Sequence, residues 1–148
     1  MELRDSGITD KDTLSALETI PREKFILNSF NDQAYENIAL PIGNDQTISQ
    51  PLIVALMTQN LELNKKHKVL ELGTGSGYQT AILSKLSRRV YTIERIRELN
   101  IQAEKIFVEL NINNIVSKVG DGNKGWIEQK PFDRIIITAA TRNLSNEI

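Results

Sequence analysis

Three carboxylates stand where short aliphatic runs give out. Glu71 lies inside "VLELGTGSGYQTAIL" (residues 69–83), Glu94 closes "VYTIE", and Asp121 is the centre of "GDG" (120–122). In the first stretch Gly73, Gly75 and Gly77 alternate with Thr74 and Ser76, after an apolar run and before an apolar helical pattern. A backbone of that composition can approach a ligand closely. The spacing is not that of a dinucleotide loop, which needs a small residue where Tyr78 stands. A pyrophosphate would also meet Glu71 as a like charge, at a helix start that should attract an anion. A carboxylate suits a cation instead.

S-adenosylmethionine has that character, with a sulfonium, an ammonium and no phosphate. Glu94, 23 residues after Glu71, is placed to accept from both ribose hydroxyls, the use that dinucleotide folds make of an acid there. Asp121 follows the third aliphatic run, where a polar side chain can take an adenine amino group. The ligand expected is a nucleoside with a methionine tail.

The elements that would position these groups alternate. "KVLEL", "VYTIE", "IVSKV" and "FDRIIIT" start near residues 68, 90, 115 and 133 and suit strands buried on both faces of a parallel sheet. Ile96, Leu99, Ala103, Ile106 and Leu110 form a helical stripe ended by Asn111. The βαβαβ rhythm predicts a doubly wound sheet with right-handed crossovers, whose ligands sit beyond the carboxyl ends of its strands. Residues 1–64 read as helix, irregular segment, helix. Thr9 with Asp12 resembles a capping box, and Leu14, Leu17 and Ile20 make one face before Pro21. "FNDQAYENIALPIGNDQ" (30–46) has no periodicity and reads as loop. "QPLIVALMTQNL" opens with a proline suited to a first helical turn and is apolar around most of its surface.

Composition narrows the function. The 148 residues make one domain, and a net charge of −1 gives no overall pull toward nucleic acid or an anionic membrane. Without cysteine there is no thiolate zinc site or thiol nucleophile, and a single histidine, His67, cannot build a multi-histidine metal centre. No metal, nucleic-acid or membrane partner is expected, and a cytoplasmic location is the default. "KKHK" (65–68) is a solvated turn, His67 enters a strand at the end away from ligands, and Trp126 is a packing anchor beneath a loop.

The chain resembles the protein-L-isoaspartate O-methyltransferases, a class I S-adenosylmethionine-dependent family. The matching stretches are "IPREKF" (20–25), "ALPIG" (39–43), "QTISQP" (46–51), "VLELGTGSGYQTAIL", "IERI" (93–96), "GDG" and "FDRIIITAA" (132–140). Of these, "QTISQP" ahead of the glycine loop is the most specific. The resemblance implies methylation of the free carboxylate of isoaspartyl residues in damaged proteins and peptides, with S-adenosylhomocysteine as product and no metal. It carries cofactor contact onto Glu71, Gly73, Thr74, Gly75, Ser76, Gly77, Glu94, Asp121 and Gly122. Substrate contact falls on Thr47, Ile48, Ser49 and Gln50, with Ser49 as the catalytic residue. Ser49 lies just ahead of the helix that Pro51 opens, so its hydroxyl and the free N–H groups of that helix start are expected to hold the acceptor carboxylate. A serine that merely caps the helix is the alternative.

The expected fold is therefore an α/β, doubly wound, Rossmann-like methyltransferase domain with a mainly parallel sheet, incomplete at the C-terminus. Residues 1–64 form its helical, substrate-side segment and residues 65–148 its cofactor-binding half. Family members normally continue into further strands, and "TRNLSNEI" (141–148) stands where they tend to carry a proline. "RIIIT" (134–138) is an unbroken aliphatic strand suited to a central position. Left at an edge, it implies self-association or a partner that completes the sheet. An active enzyme and an inactive relative that only binds the nucleoside or a partner both stay open. A methyltransferase acting on RNA or a small molecule fits "QTISQP" poorly.

Overall fold

The computed structural model describes residues 3–140. Four parallel strands make the central sheet: β3 (Lys68–Leu72), β4 (Arg89–Glu94), β5 (Ile115–Val119) and β6 (Arg134–Ile137), in the order β5-β4-β3-β6. β3 and β4 are inner strands, and Val69, Leu70, Val90 and Ile93 are almost wholly buried. Helices α3 (Tyr78–Leu86) and α4 (Arg97–Glu109) make the β3–β4 and β4–β5 crossovers. Of the expected helical stripe Leu99 and Ala103 are buried and Ile96, Ile106 and Leu110 partly so; Phe107, outside that stripe, is buried too, and Asn111 stands in the left-handed region that ends α4.

The chain moves outward from β3 to β5 and then returns to the other side of β3 for β6. This reversal beside β3 is a topological switch point, where such sheets open a crevice. The return carries only short 3-10 turns, Gly122–Lys124 and Ile127–Gln129. On this side Trp126 and Phe132 pack edge-on against Tyr91, at 5.4 and 5.6 Å between ring centres, over Leu70, Leu72 and Ile93.

Burial on both faces holds for β3 and β4 but not for the outer pair. β5 is only half-buried, and β6 pairs with β3 alone among the described residues, leaving Ile135 38% exposed. The central position expected for "RIIIT" is thus not seen among these residues. The segment 141–148, singled out for its missing proline, lies outside them.

The first 64 residues differ from the sequence reading in two places. Helix α1 (Lys11–Thr19) is capped by Asp10, whose carboxylate accepts from the Thr13 N–H at 2.9 Å. Thr9 and Asp12 therefore form no box; the Thr9 and Asp10 N–H groups donate to Gln59 Oε1. The segment read as loop contains an antiparallel hairpin, β1 (Leu40–Gly43) and β2 (Gln46–Ile48). Its two-residue turn, Asn44–Asp45, has φ of 52° and 55°. Positive φ at both positions is the type I′ pattern that fits strand twist, and asparagine and aspartate tolerate it. The hairpin escaped periodicity because each strand is only three or four residues long. Helix α2 (Pro51–Asn60) follows, with proline in its first turn as expected.

Candidate active site

A cavity of about 330 Å³ opens beyond the carboxyl ends of the strands, a volume ordinary for a small-molecule site. Leu72 and Gly73 close β3, Ile93 and Glu94 close β4, Asp121 and Gly122 follow β5, and Thr138–Ala140 follow β6; all line it. The opposite wall comes from Gln46, Thr47, Ile48 and Ser49 of the hairpin and from Val54 and Met57 of α2. Ten of the predicted site residues meet here: Thr47, Ile48, Ser49, Gly73, Thr74, Gly75, Ser76, Glu94, Asp121 and Gly122.

The Glu94 carboxylate ties the cavity floor together. One oxygen accepts from the Gly75 N–H and the other from the Ile96 N–H, both at 2.8 Å. A carboxylate offers about four acceptor positions, so two N–H bonds leave roughly two for a diol. The Asp121 carboxylate accepts from the Asn123 N–H at 3.0 Å, which holds the turn after β5. Gly73 has φ of 102° and lies so close to β6 that a Cβ there would meet the Ala139 Cβ at 2.7 Å. This glycine is required by the approach of two strand ends as much as by any ligand.

Three predicted residues do not line the cavity. Gln50 is the half-buried N-cap of α2. Gly77 serves packing, since a Cβ there would strike the Phe107 ring at 2.8 Å. Glu71 is the clearest correction. Side chains alternate along a strand, so Glu71 shares the helix-covered face of β3 with Val69, and it is fully buried. Its Oε2 accepts from the Thr80 hydroxyl at 2.5 Å and the Thr92 hydroxyl at 2.7 Å. Thr92 in turn lies 2.7 Å from the Thr74 hydroxyl, and Oε1 has no partner among the described residues. Burial pushes the Glu71 carboxyl up to about 7 against the two threonine bonds, which favour its charged form. A half-neutral acid facing α3 is not the counter-charge that the sequence reading placed at the loop mouth.

The helix start also behaves differently from expectation. Pro51 has no N–H, the Leu52 N–H donates to Asn37 Oδ1 at 3.0 Å, and those of Ile53 and Val54 donate to the Gln50 carbonyl. No N–H of that first turn is left for an acceptor carboxylate. The Ser49 hydroxyl does not cap the helix either; Gln50 is the N-cap, without a side-chain bond. Ser49 is exposed on the cavity wall, and its carbonyl accepts from Arg22 Nη1 at 2.8 Å.

Sequence reasoning missed Thr138, whose hydroxyl donates to the Gly73 carbonyl at 2.5 Å, and Tyr78, which lines the cavity with burial pushing its phenol up to about 12. It also missed Met57. The sign was present in α2, whose apolar surface is wider than one packed face needs, and the surplus faces the cavity. Trp126 and His67 line no part of it; the His67 ring contacts Asn64 beside the amino end of β3. Among the described residues no group of three or more His, Cys, Asp or Glu is placed to hold a metal ion, and no helix is long and apolar enough to cross a membrane.

A parallel sheet with a nucleoside-sized crevice at its switch point, a glycine turn after the first strand and an acid at the end of the second defines the Rossmann-like methyltransferase class. The chain belongs to the protein-L-isoaspartate(D-aspartate) O-methyltransferase family, whose model matches residues 1–148. It is 59% identical over 148 residues to the protein-L-isoaspartate O-methyltransferase of Parvibaculum lavamentivorans, covering 100% of this chain and 67% of that one. A solved protein-L-isoaspartate O-methyltransferase superposes with a TM-score of 0.90 at 31% identity, covering 98% of this chain and 48% of that one. A Plasmodium falciparum protein described as a putative member, in complex with S-adenosyl-L-homocysteine, gives 0.81 at 24% identity, which bears on the fold alone; 98% and 73% of the two chains are covered. The chain spans about two thirds of the length of the curated relatives it matches.

Proposed function

We propose that this chain binds S-adenosylmethionine and takes part in methylating the free carboxylate of isoaspartyl residues in damaged proteins and peptides. The observation that carries the reading is the meeting, in one cavity, of the hairpin segment Thr47–Ser49 with Glu94, Asp121 and the glycine turn. Substrate-side and cofactor-side motifs that lie far apart in sequence share one wall each.

S-adenosylmethionine supplies a methyl group on a sulfonium; the acceptor oxygen takes it as the carbon–sulfur bond breaks, and the electron pair stays on sulfur. The residues of this chain hold and align. Glu94 accepts from the ribose hydroxyls with the oxygen positions left free by Gly75 and Ile96, and Asp121 meets the adenine amino group. Gly73, Gly75 and Gly122 allow close backbone approach, with Thr74 and Ser76 lining the turn. The acceptor carboxylate is already ionised at neutral pH, so no general base is needed. Ser49 donates its hydroxyl to that carboxylate, beside Thr47 and Ile48. Val54 and Met57 keep this wall apolar and exclude water, so catalysis is mostly alignment. The cytoplasm is the proposed compartment, in keeping with a chain that has no cysteine.

Titration calorimetry with S-adenosylhomocysteine tests the cofactor half, and methyl transfer to an isoaspartyl peptide tests the reaction. Binding with transfer is the expected result. Binding without transfer would leave a nucleoside-binding relative, and absence of both would end the proposal.

A further inference from the structure

The site described above lacks a positive partner for an anionic acceptor. The N–H groups of α2 are already used, and Arg95, the cation that lines the cavity, is exposed and directly follows Glu94 on the nucleoside side. A buried cation lies next to the acceptor side. Arg22 is 1% exposed, among the largest wholly buried side chains of the molecule. Its Nη1 donates to the Ser49 carbonyl at 2.8 Å and its Nη2 to the Ile38 carbonyl at 3.2 Å. These two carbonyls flank the hairpin on either side, so one guanidinium clamps its base. The guanidinium also stacks over Tyr78, 5.2 Å from the ring centre, at the start of α3.

The charge of Arg22 is not neutralised. Among the described residues the only ion pair is Lys24–Glu109, and Arg22 Nε has no partner. Arginine stays protonated even when buried, and a buried unpaired charge is costly to keep. Two neutral carbonyls do not balance it. The Ser49 carbonyl, which would repel an anion, is turned toward the guanidinium. Because the peptide is trans, the Gln50 N–H points the opposite way.

We propose that Arg22 is the positioning residue that makes the Ser49 wall selective for a negatively charged acceptor: it orients the Ser49–Gln50 peptide and supplies the positive field that an incoming carboxylate neutralises. The proposal rests on the reaction read from this cavity and assigns its charge selectivity to a residue that does not touch the substrate. In a poorly solvated setting such a field acts over several ångströms with little screening.

The test compares an isoaspartyl peptide with the same peptide carrying an α-carboxamide in place of the free carboxylate. Both are titrated into the chain saturated with S-adenosylhomocysteine. The wild type should prefer the carboxylate by about tenfold or more. Arg22→Gln should bring the two affinities within about twofold, and Arg22→Lys, which offers a charge but not the two-carbonyl fork, should fall between Arg22→Gln and the wild type. A reduced folded fraction does not change this ratio, since both ligands meet the same folded protein. If Arg22→Gln does not fold, the wild type at about 1 M salt decides, because exposed charges are screened there to roughly 3 Å and buried ones much less. A preference that persists supports Arg22; one that vanishes points to Arg95 and overturns it. Arg22→Gln with the wild-type preference would also overturn it, with the methyltransferase reading intact. A wild type that binds neither S-adenosylhomocysteine nor the peptide removes both.

Discussion

Glu94 and Ser49 face the same cavity, and their substitution should separate binding from turnover. Glu94→Ala removes a charged acceptor and also frees the Gly75 and Ile96 N–H groups. Affinity for S-adenosylhomocysteine should fall by about tenfold to 150-fold, corresponding to roughly 1.5–3 kcal/mol. Calorimetry of the two proteins decides, and equal affinities would remove Glu94 from the site. Ser49→Ala deletes an exposed hydroxyl that bonds no protein group as a cap. It should lower methyl transfer to an isoaspartyl peptide and leave cofactor affinity nearly unchanged. Wild-type turnover in that variant would return Ser49 to a bystander on the cavity wall.

At the scale of elements, Glu71 joins β3 to β4 and α3 through Thr92 and Thr80, and Thr74 extends the network into the glycine turn. Its carboxyl is raised from 4.5 to about 7 by burial, so the folded chain holds the proton more tightly than the unfolded one. The stability it contributes is complete below about pH 4.5 and is lost as pH rises through about 7, a change of roughly 3 kcal/mol at ~1.4 kcal/mol per unit. Glu71→Gln stays neutral throughout. Thermal unfolding should therefore favour the variant increasingly between about pH 5 and about pH 8, and parallel profiles would show that Glu71 titrates normally. The hairpin offers a second check. Asp45 sits at φ 55°, which glycine adopts without cost, so Asp45→Gly should stabilise the chain by about 0.5–1 kcal/mol. An unchanged or lower melting temperature would mean that the turn draws on the aspartate side chain.

The whole molecule is unevenly supported. Helices α2, α3 and α4 pack on one side of the sheet, whereas the other is covered by the short turns around Trp126 and Phe132. Amide hydrogen exchange should be slowest in β3 and β4, which have neighbours on both sides, and faster in β5, β6 and the hairpin. Uniform protection across the four strands would mean that β5 and β6 are as well supported as the inner pair. The clamp of Arg22 belongs to this scale as well. It joins the hairpin to α3, so the two walls of the cavity are held by one side chain far from either in sequence.

Much of this was legible in the letters, because periodicity and glycine spacing are local properties. The four aliphatic runs are the four strands, the 96–110 stripe is α4, and Pro51 opens α2. Glu94 and Asp121 could be placed at strand ends because a parallel sheet puts each such residue on the ligand side. Family membership was legible too, in motifs such as "QTISQP". Direction and partnership were not. Glu71 and Glu94 share a face of the sheet, yet Glu71 is the penultimate residue of β3, level with Thr92, whereas Glu94 is the last of β4, so one carboxylate lies beneath the helix layer and the other reaches the crevice. A three-residue strand has too few positions to show a period, so the hairpin emerged only when its two arms met. The fate of the α2 N–H groups depended on Asn37 and Gln50, and the role of Arg22 on carbonyls 16 and 27 residues away. Contacts between distant segments are decided by packing, and only the folded chain brings their partners within reach.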